Sequence, residues 1–212
     1  MSSPLRLILF DVDGTLADRQ GAVTGAMAEA FEGAGLPVPP RAAILSIVGL
    51  SLPLAMKELA PDQNAATLEA LVEGYKSSYM LAREAAGAGH SPLYPGAREA
   101  LADLNAVPEY LLGVATGKSQ RGMDALIEAH ELTCFVTRQV ADHHPSKPHP
   151  SMILAAMAEA GVAAENTVMI GDTSYDMDMA RAAGVRSIGV PWGYHPVDRI
   201  GADYTIKSFA DL

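Results

Sequence analysis

Short runs of apolar residues recur at Leu7–Phe10, Leu111–Ala115, Thr167–Ile170 and Ser187–Val190, several of them closing on Gly, Asp or Thr. Runs this short, apolar without alternation and bounded by turn residues, predict strands buried on both faces. Cys134–Val136 and Tyr204–Ile206 are shorter candidates of the same kind. Between the runs the apolar period lengthens to that of a helix. Arg98–Leu104 follows Pro95 and Gly96, and Ser119–His130 carries Met123, Leu126 and Ile127 on one face. Pro150–Ala160 starts on Pro and stops at Gly161, and Ser174–Ala183 stops at Gly184. Pro suits the first helical turn and Gly the position just past the last. Strands alternating with helices predict an α/β protein with a doubly wound parallel sheet, covered by helices on both faces.

From about Ala17 to about Pro92 the alternation stops and no strand pattern is found. Ala22–Ala34 reads as a helix, Ala42–Val48 and Leu52–Leu59 as two short ones. Ala65–Ala86 reads as a long helix with Leu68, Leu71, Val72, Tyr75 and Tyr79 on one stripe, the spacing of an amphipathic face. The expected organisation is a core of residues 1–16 and 93–212 with an all-helical insert of residues 17–92. Leu16–Arg19 and the Gly- and Pro-rich stretch Ala86–Pro95 are the expected links. An insert of that length is large enough to be a small domain.

Bulk composition narrows the partners. The chain has 212 residues, 49% of them hydrophobic, enough to fill one sizeable core and a smaller one. Fifteen Lys and Arg against 25 Asp and Glu give a net charge of −10, which disfavours a nucleic-acid backbone or an anionic membrane as partner. It does not disfavour a phosphorylated small molecule, because a bound cation can reverse the local field. The single cysteine, Cys134, allows no intrachain disulfide and is expected to pack rather than react. The N-terminal residues lack the long apolar core of a signal peptide, and no apolar run is long enough to span a membrane. A cytoplasmic monomer or homodimer is expected.

Four sites carry candidate chemistry. Asp11-Val12-Asp13-Gly14 places two carboxylates one residue apart at the end of the first strand, the end where open α/β sheets bind ligands. Like charges held together need a cation or a proton; a cation beside a nucleophilic carboxylate would join compensation to chemistry. An ordinary Asp-Gly turn would look the same, but three further strand ends are polar. Thr116-Gly117-Lys118-Ser119 sets a hydroxyl and backbone N–H groups at a helix start, a cradle for an anion. A P-loop is excluded because the glycine it requires at position 112 is Leu112. Lys147 sits among Pro145, Pro148 and Pro150, which hold its backbone on a defined course. An ammonium so fixed can pair with a phosphoryl oxygen or an aspartate, although rigid loops also carry plain surface lysines. Finally, Gly171-Asp172 closes another strand, with Asp176 four residues on. Oxygen ligands from different strand ends suit Mg²⁺, which takes few carboxylates and keeps waters and phosphate oxygens. A helix cap would account for one acid or hydroxyl here, not for three polar strand ends.

With these motifs in this order, Asp11-Val12-Asp13-Gly14-Thr15, Thr116-Gly117, Lys147-Pro148 and Gly171-Asp172 with Asp176, the chain resembles the haloacid dehalogenase superfamily, in its phosphoglycolate phosphatase-like branch. The resemblance covers essentially the whole chain. It implies a Rossmann-like core and identifies the insert with a helical cap that chooses the substrate. It also implies a Mg²⁺-dependent phosphatase acting on a small, phosphoglycolate-like metabolite through an aspartyl-phosphate. On that resemblance Asp11 is the nucleophile, and Asp13 is the general acid that later becomes the base. Mg²⁺ is held by Asp11, by Asp13 through its backbone carbonyl and by Asp172. Thr116, the Gly117 N–H and Lys147 hold the phosphoryl oxygens. Asp176 supports the Mg²⁺ shell or Lys147, while Gly14 and Thr15 shape the loop. Leu50 and Ser51, in a glycine-led turn between two short insert helices, are expected to face the substrate. Arg19, Gln20 and Lys57 are further candidate contacts.

Departures and rivals sharpen this reading. The second motif in the family often continues with Asn; Gly117 here leaves one side-chain contact unfilled. Dehalogenases resembling this fold lack an acid two residues after the nucleophile, so Asp13 points to phosphoryl transfer. Phosphonate-cleaving relatives use a cap lysine, and Gly49–Pro53 has none. The alternatives are a phosphomutase of the beta-phosphoglucomutase type, or, from a different class, a phospho-accepting signalling or binding domain. Signalling receivers lack a helical insert after the first strand and do not carry their phosphoacceptor there. His143, His144 and His149 lack a zinc-ligand spacing and are expected in a solvated loop. Trp192-Gly193-Tyr194 is expected as a structural loop beside the catalytic rim.

Overall fold

The computed structural model describes residues 4–212. Six parallel strands form one sheet in the order β3-β2-β1-β4-β5-β6. These are β1 (Arg6–Phe10), β2 (Tyr110–Thr116), β3 (Phe135–Val140), β4 (Thr167–Gly171), β5 (Arg186–Gly189) and β6 (Tyr204–Thr205). The chain steps outward from β1 to β2 and β3, then crosses back so that β4 pairs with the other side of β1. That reversal opens a crevice between β1 and β4 at their carboxyl ends, the position where doubly wound sheets take ligands.

β1 shows why the expected strands read as unbroken apolar runs. Ile8 and Phe10 pack on one face with Ala100, Leu101 and Leu104 of α5 (Ala97–Asn105). Leu7 and Leu9 pack on the other with Met152 and Ile153 of α7 (Ser151–Ala160) and Met179 of α8 (Ser174–Ala183). A strand buried on both faces has no polar side to alternate with. α6 (Gln120–His130) adds Met123 and Leu126 against Val114.

One strand is longer than its apolar pattern. The expected Cys134–Val136 becomes Phe135–Val140. Thr137 and Gln139 are buried there and both bond to Glu159, so polar residues occupy inward positions and conceal the strand from a hydrophobicity reading. The expected Ser187–Val190 lies one residue further back, as Arg186–Gly189.

Residues 17–92 hold α1 (Gln20–Gly33), α2 (Arg41–Ser46), α3 (Leu52–Leu59) and α4 (Ala65–Ala86). These four pack around a cluster of their own that includes Met27, Phe31, Met56 and Leu71. The two connections to the sheet run side by side: the Asp18 N–H donates to the Pro92 carbonyl, and the Tyr94 N–H to the Leu16 carbonyl. Among the described residues no helix is long and apolar enough to cross a membrane.

Candidate active site

Asp11 follows β1 and Asp172 follows β4, both buried at the crevice. Their approach depends on glycine. Gly14 takes φ +92°, and a Cβ there would overlap the Asp172 carboxylate. Gly193 is packed against the same Asp172 side chain, so a Cβ would overlap it too. Thr15 Oγ1 donates to Asp172 Oδ1 at 2.8 Å, and the Tyr194 N–H donates to Asp172 Oδ2 at 2.8 Å. Trp192 Nε1 donates to the Thr15 carbonyl at 3.0 Å. The loop from Trp192 to Tyr194 therefore stands at the rim and holds one of its acids.

Lys147 is fully buried, with Nζ 2.8 Å from Asp11 Oδ1 and 2.6 Å from Asp176 Oδ1. The other oxygen of Asp176 accepts from the Thr173 N–H at 3.0 Å and the Thr173 hydroxyl at 2.7 Å. Thr173 in turn caps α8. The cap is thus Thr173 rather than Asp172 or Ser174, and Asp176 both starts a helix and holds the lysine.

One oxygen each of Asp11, Asp172 and Asp176 lie within 4.8 Å of one another. Burial pushes the Asp11 carboxyl up to about 6 against the pull of Lys147. Burial, with Asp11 and Asp176 adding to it, holds Asp172 well above the usual carboxylate range. Burial alone would discharge Lys147, but Asp11 and Asp176 outweigh it and raise its pKa. Asp11 Oδ2 is buried and has no hydrogen-bond partner among the described residues. Three crowded carboxylates against one ammonium, with an orphaned oxygen, form a donor set that fits a hard divalent cation. The Asp13 side chain lies outside this carboxylate group, in line with an expected role through its backbone carbonyl, and Asp176, expected only as a supporting residue, stands inside it.

Removing the ammonium leaves buried carboxylates facing each other. Lys147→Met is expected to cost the metal-free protein about 3 kcal/mol or more, a fall in Tm of roughly 6–12 °C for a chain of this size. Calorimetry in EDTA measures it, and an unchanged Tm contradicts the ion-pair assignment.

Asp13 is turned aside by two cations that the sequence reading did not assign to it. Arg19 forms an ion pair with Asp13 Oδ2, and Lys118 Nζ lies 2.9 Å from Asp13 Oδ1. Burial would raise the Asp13 pKa, but Arg19 and Lys118 outweigh it and lower it. Burial and the nearby Arg19 push Lys118 down to about 8, against the pull of Asp13. Lys118 directly follows the Thr116-Gly117 motif, the one sequence signal that could have flagged it. Arg19, named from the sequence only as a candidate substrate contact, does line the cavity, but standing in what reads as a link it gives no signal of its pairing with Asp13.

Above these groups lies a cavity of about 690 Å³, bordered by Asp11, Asp13, Thr116, Gly117, Leu50 and Ser51. Thr116 is buried, and its hydroxyl accepts from the Lys118 N–H at 3.2 Å. The 49–51 turn lies directly over the Gly117 backbone, where a Cβ would come within 2.6 Å of the Gly49 carbonyl. The Ser51 N–H donates to Ser146 Oγ at 2.7 Å. Gln20 and Lys57, the other expected contacts, stand elsewhere: Gln20 Oε1 accepts from Arg41, and Lys57 is exposed on α3. His144 is not simply solvated. Its ring bonds Ser151 Oγ at 2.7 Å and Gln139 Oε1 at 2.8 Å, fixing the loop that carries Lys147.

A doubly wound sheet whose switch point gathers buried carboxylates and a locked lysine under a cavity marks an α/β protein with an enzyme-like site. The sequence pattern of the haloacid dehalogenase-like hydrolases matches residues 8–190, and the chain belongs to that family. It is 37% identical over 202 residues to the probable phosphatase IndB of Dickeya dadantii, covering 92% of this chain and 85% of that one. It is 33% identical over 213 residues to the phosphoglycolate phosphatase of Caulobacter vibrioides, covering 97% and 88%. The crystal structure of a hydrolase from Pseudomonas syringae has the same fold, with a TM-score of 0.84 at 24% identity over 98% of this chain and 95% of that one. The chain is a hydrolase of phosphoric monoesters in the phosphoglycolate phosphatase-like branch.

Proposed function

We propose that the enzyme is a Mg²⁺-dependent phosphatase of a small phosphorylated metabolite, with Asp11 as its nucleophile. The observation that carries this reading is the buried, unpartnered Asp11 Oδ2 at the floor of the cavity, next to a lysine that holds the other oxygen. Asp11, Asp172 and Asp176 are the side chains that would hold the cation, which when bound neutralises their charge and that of the phosphoryl group. Asp11 attacks phosphorus, the P–O bond to the alcohol breaks, and an aspartyl-phosphate remains. Asp13 gives its proton to the departing oxygen, then takes one from the water that attacks phosphorus and releases Asp11. Lys147, the Thr116 hydroxyl and the Gly117 N–H steady the phosphoryl oxygens as charge moves through the transition state. Arg19 and Lys118 hold Asp13 ionised in the substrate-free site; when a monoester binds as its monoanion they turn to its phosphoryl oxygens, and Asp13 takes its proton from that group. Helices α1–α4 act as a cap that admits a small ester and excludes bulk water. The net charge of −10 and the single cysteine support a small-molecule partner and a reducing, cytoplasmic setting.

The test is release of inorganic phosphate from a panel of phosphorylated metabolites in water labelled with heavy oxygen. Label in the phosphate supports hydrolysis; an isomerised sugar phosphate without net release replaces this reading with a mutase. Phosphoproteins are expected to be poor substrates beneath the cap. Ser51→Phe is expected to change relative kcat/KM among substrates by about tenfold or more, the scale set by a few atoms in a pocket wall, while Tm moves little. An unchanged substrate ranking contradicts the placement of the 49–51 turn over the substrate.

A further inference from the structure

The cavity is far larger than a two-carbon phosphate requires. Its volume of about 690 Å³ is in the range that encloses a drug-sized ligand. The polar groups collect at its floor, where Arg19 and Lys118 are engaged by Asp13. Away from the floor the wall is apolar and comes from the helical insert: Val23 and Met27 of α1, Ile47, and Val72, Tyr75 and Met80 of α4. Tyr75 and Tyr79 stack with ring centroids 5.8 Å apart, and the Arg19 guanidinium covers the Tyr79 ring at 4.3 Å. Arg19 thereby joins the polar floor to an aromatic wall. Of the remaining cations at the cavity, Lys76 and Arg121 are exposed, Lys76 is paired with Glu73, and Arg83, near the end of α4, is half-buried. A polar alcohol closed in by such a wall would lose water without gaining partners. An apolar one gains with each carbon that it buries.

We infer that the substrate is a phosphate monoester whose alcohol is an apolar body, seated between Val23, Met27, Val72, Tyr75 and Met80, rather than a glycolate-sized acid. The inference rests on the phosphatase reading and names the substrate class of the same site. The phosphoryl group lies on the floor against Asp11, whose other oxygen is held from below by the buried Lys147, and the alcohol reaches up into the insert. Hydrolysis proceeds as above: the proton of Asp13 passes to the alcohol oxygen, and the phosphoryl group of the aspartyl-phosphate then passes to water, which releases Asp11 and inorganic phosphate.

The test is kcat/KM for ethyl, butyl and hexyl phosphate, whose alcohols leave almost equally well, with phosphoglycolate alongside and Mg²⁺ saturating. Each added methylene is expected to raise kcat/KM about fourfold, so that hexyl phosphate exceeds ethyl phosphate by roughly a hundredfold or more. Met80→Glu is expected to lower the hexyl-to-ethyl ratio at least about tenfold, because it sets a charge in the wall. A flat or falling series with phosphoglycolate as the best substrate overturns the inference and leaves the phosphatase reading standing. If no ester releases phosphate, the phosphatase reading fails, and titration with ethyl- and hexylphosphonate decides the wall alone. At least tenfold tighter binding of hexylphosphonate upholds the apolar wall, and equal affinities overturn it.

Discussion

Asp11→Asn is expected to abolish phosphate release, by on the order of 10⁴-fold or more, in a protein that stays folded. The amide keeps an oxygen that can accept from Lys147 as Asp11 Oδ1 does at 2.8 Å, and its shape is nearly that of the acid. It has no charge and cannot attack phosphorus, so the first covalent step is lost. Stability moves the other way. Burial holds the Asp11 carboxyl up at about 6, so at neutral pH its charge opposes folding of the metal-free chain. The variant is expected to melt at or above the parent in EDTA. Steady-state phosphate release and calorimetry together check the pair of expectations. Turnover near the parental rate ends the assignment of Asp11 as nucleophile.

Chelation is the second large effect. EDTA is expected to silence the enzyme and Mg²⁺ to restore it, because the clustered carboxylates otherwise repel one another and the phosphoryl group. The same cluster sets a pH dependence with a definite sign. Asp11 keeps its proton up to about pH 6 when folded, against an ordinary value of 3.8, so between these values the folded state binds more protons than the unfolded one. The stability this contributes is fully present below about pH 4 and is lost as pH rises through about 6. Asp172 is raised as well and acts in the same direction. A divalent cation displaces those protons, so the rise in Tm on adding Mg²⁺ is expected to be larger at pH 7 than at pH 5. Asp172→Ala is expected to shrink that rise. Equal rises at the two pH values, or full activity after exhaustive chelation, contradict the assignment of the carboxylates to a cation.

Some of this site could be read from neighbouring residues alone. Asp11, Asp13, Thr116 and Asp172 each follow an apolar run, and a strand end is a local event. The run is apolar because both faces of the strand are buried, and it stops where the backbone leaves the sheet. Gly14 reads as a turn residue, but its packing against Asp172 involves a residue 158 positions further along the chain, between two elements that meet only in the fold. β3 stayed half hidden for a related reason. Thr137 and Gln139 look like surface residues in sequence, yet Glu159 of α7 satisfies them inside.

The order of the motifs, the alternation of strand and helix, and the helical insert after β1 were all determined by the sequence. They rest on period, local turn chemistry and the resemblance that those motifs carry. Which charges share a space was decided by the tertiary structure. Asp176 enters the carboxylate group because Thr173 caps α8 and turns it toward Lys147. The Asp13 side chain is held apart from that group because Arg19 at the start of the insert and Lys118 beyond β2, far apart in sequence, converge on it. The apolar wall of the cavity was likewise invisible beforehand. A stripe of Val72, Tyr75 and Tyr79 has the same spacing whether it packs against other helices or faces a ligand, and only the placement of α4 over the strand ends separates the two.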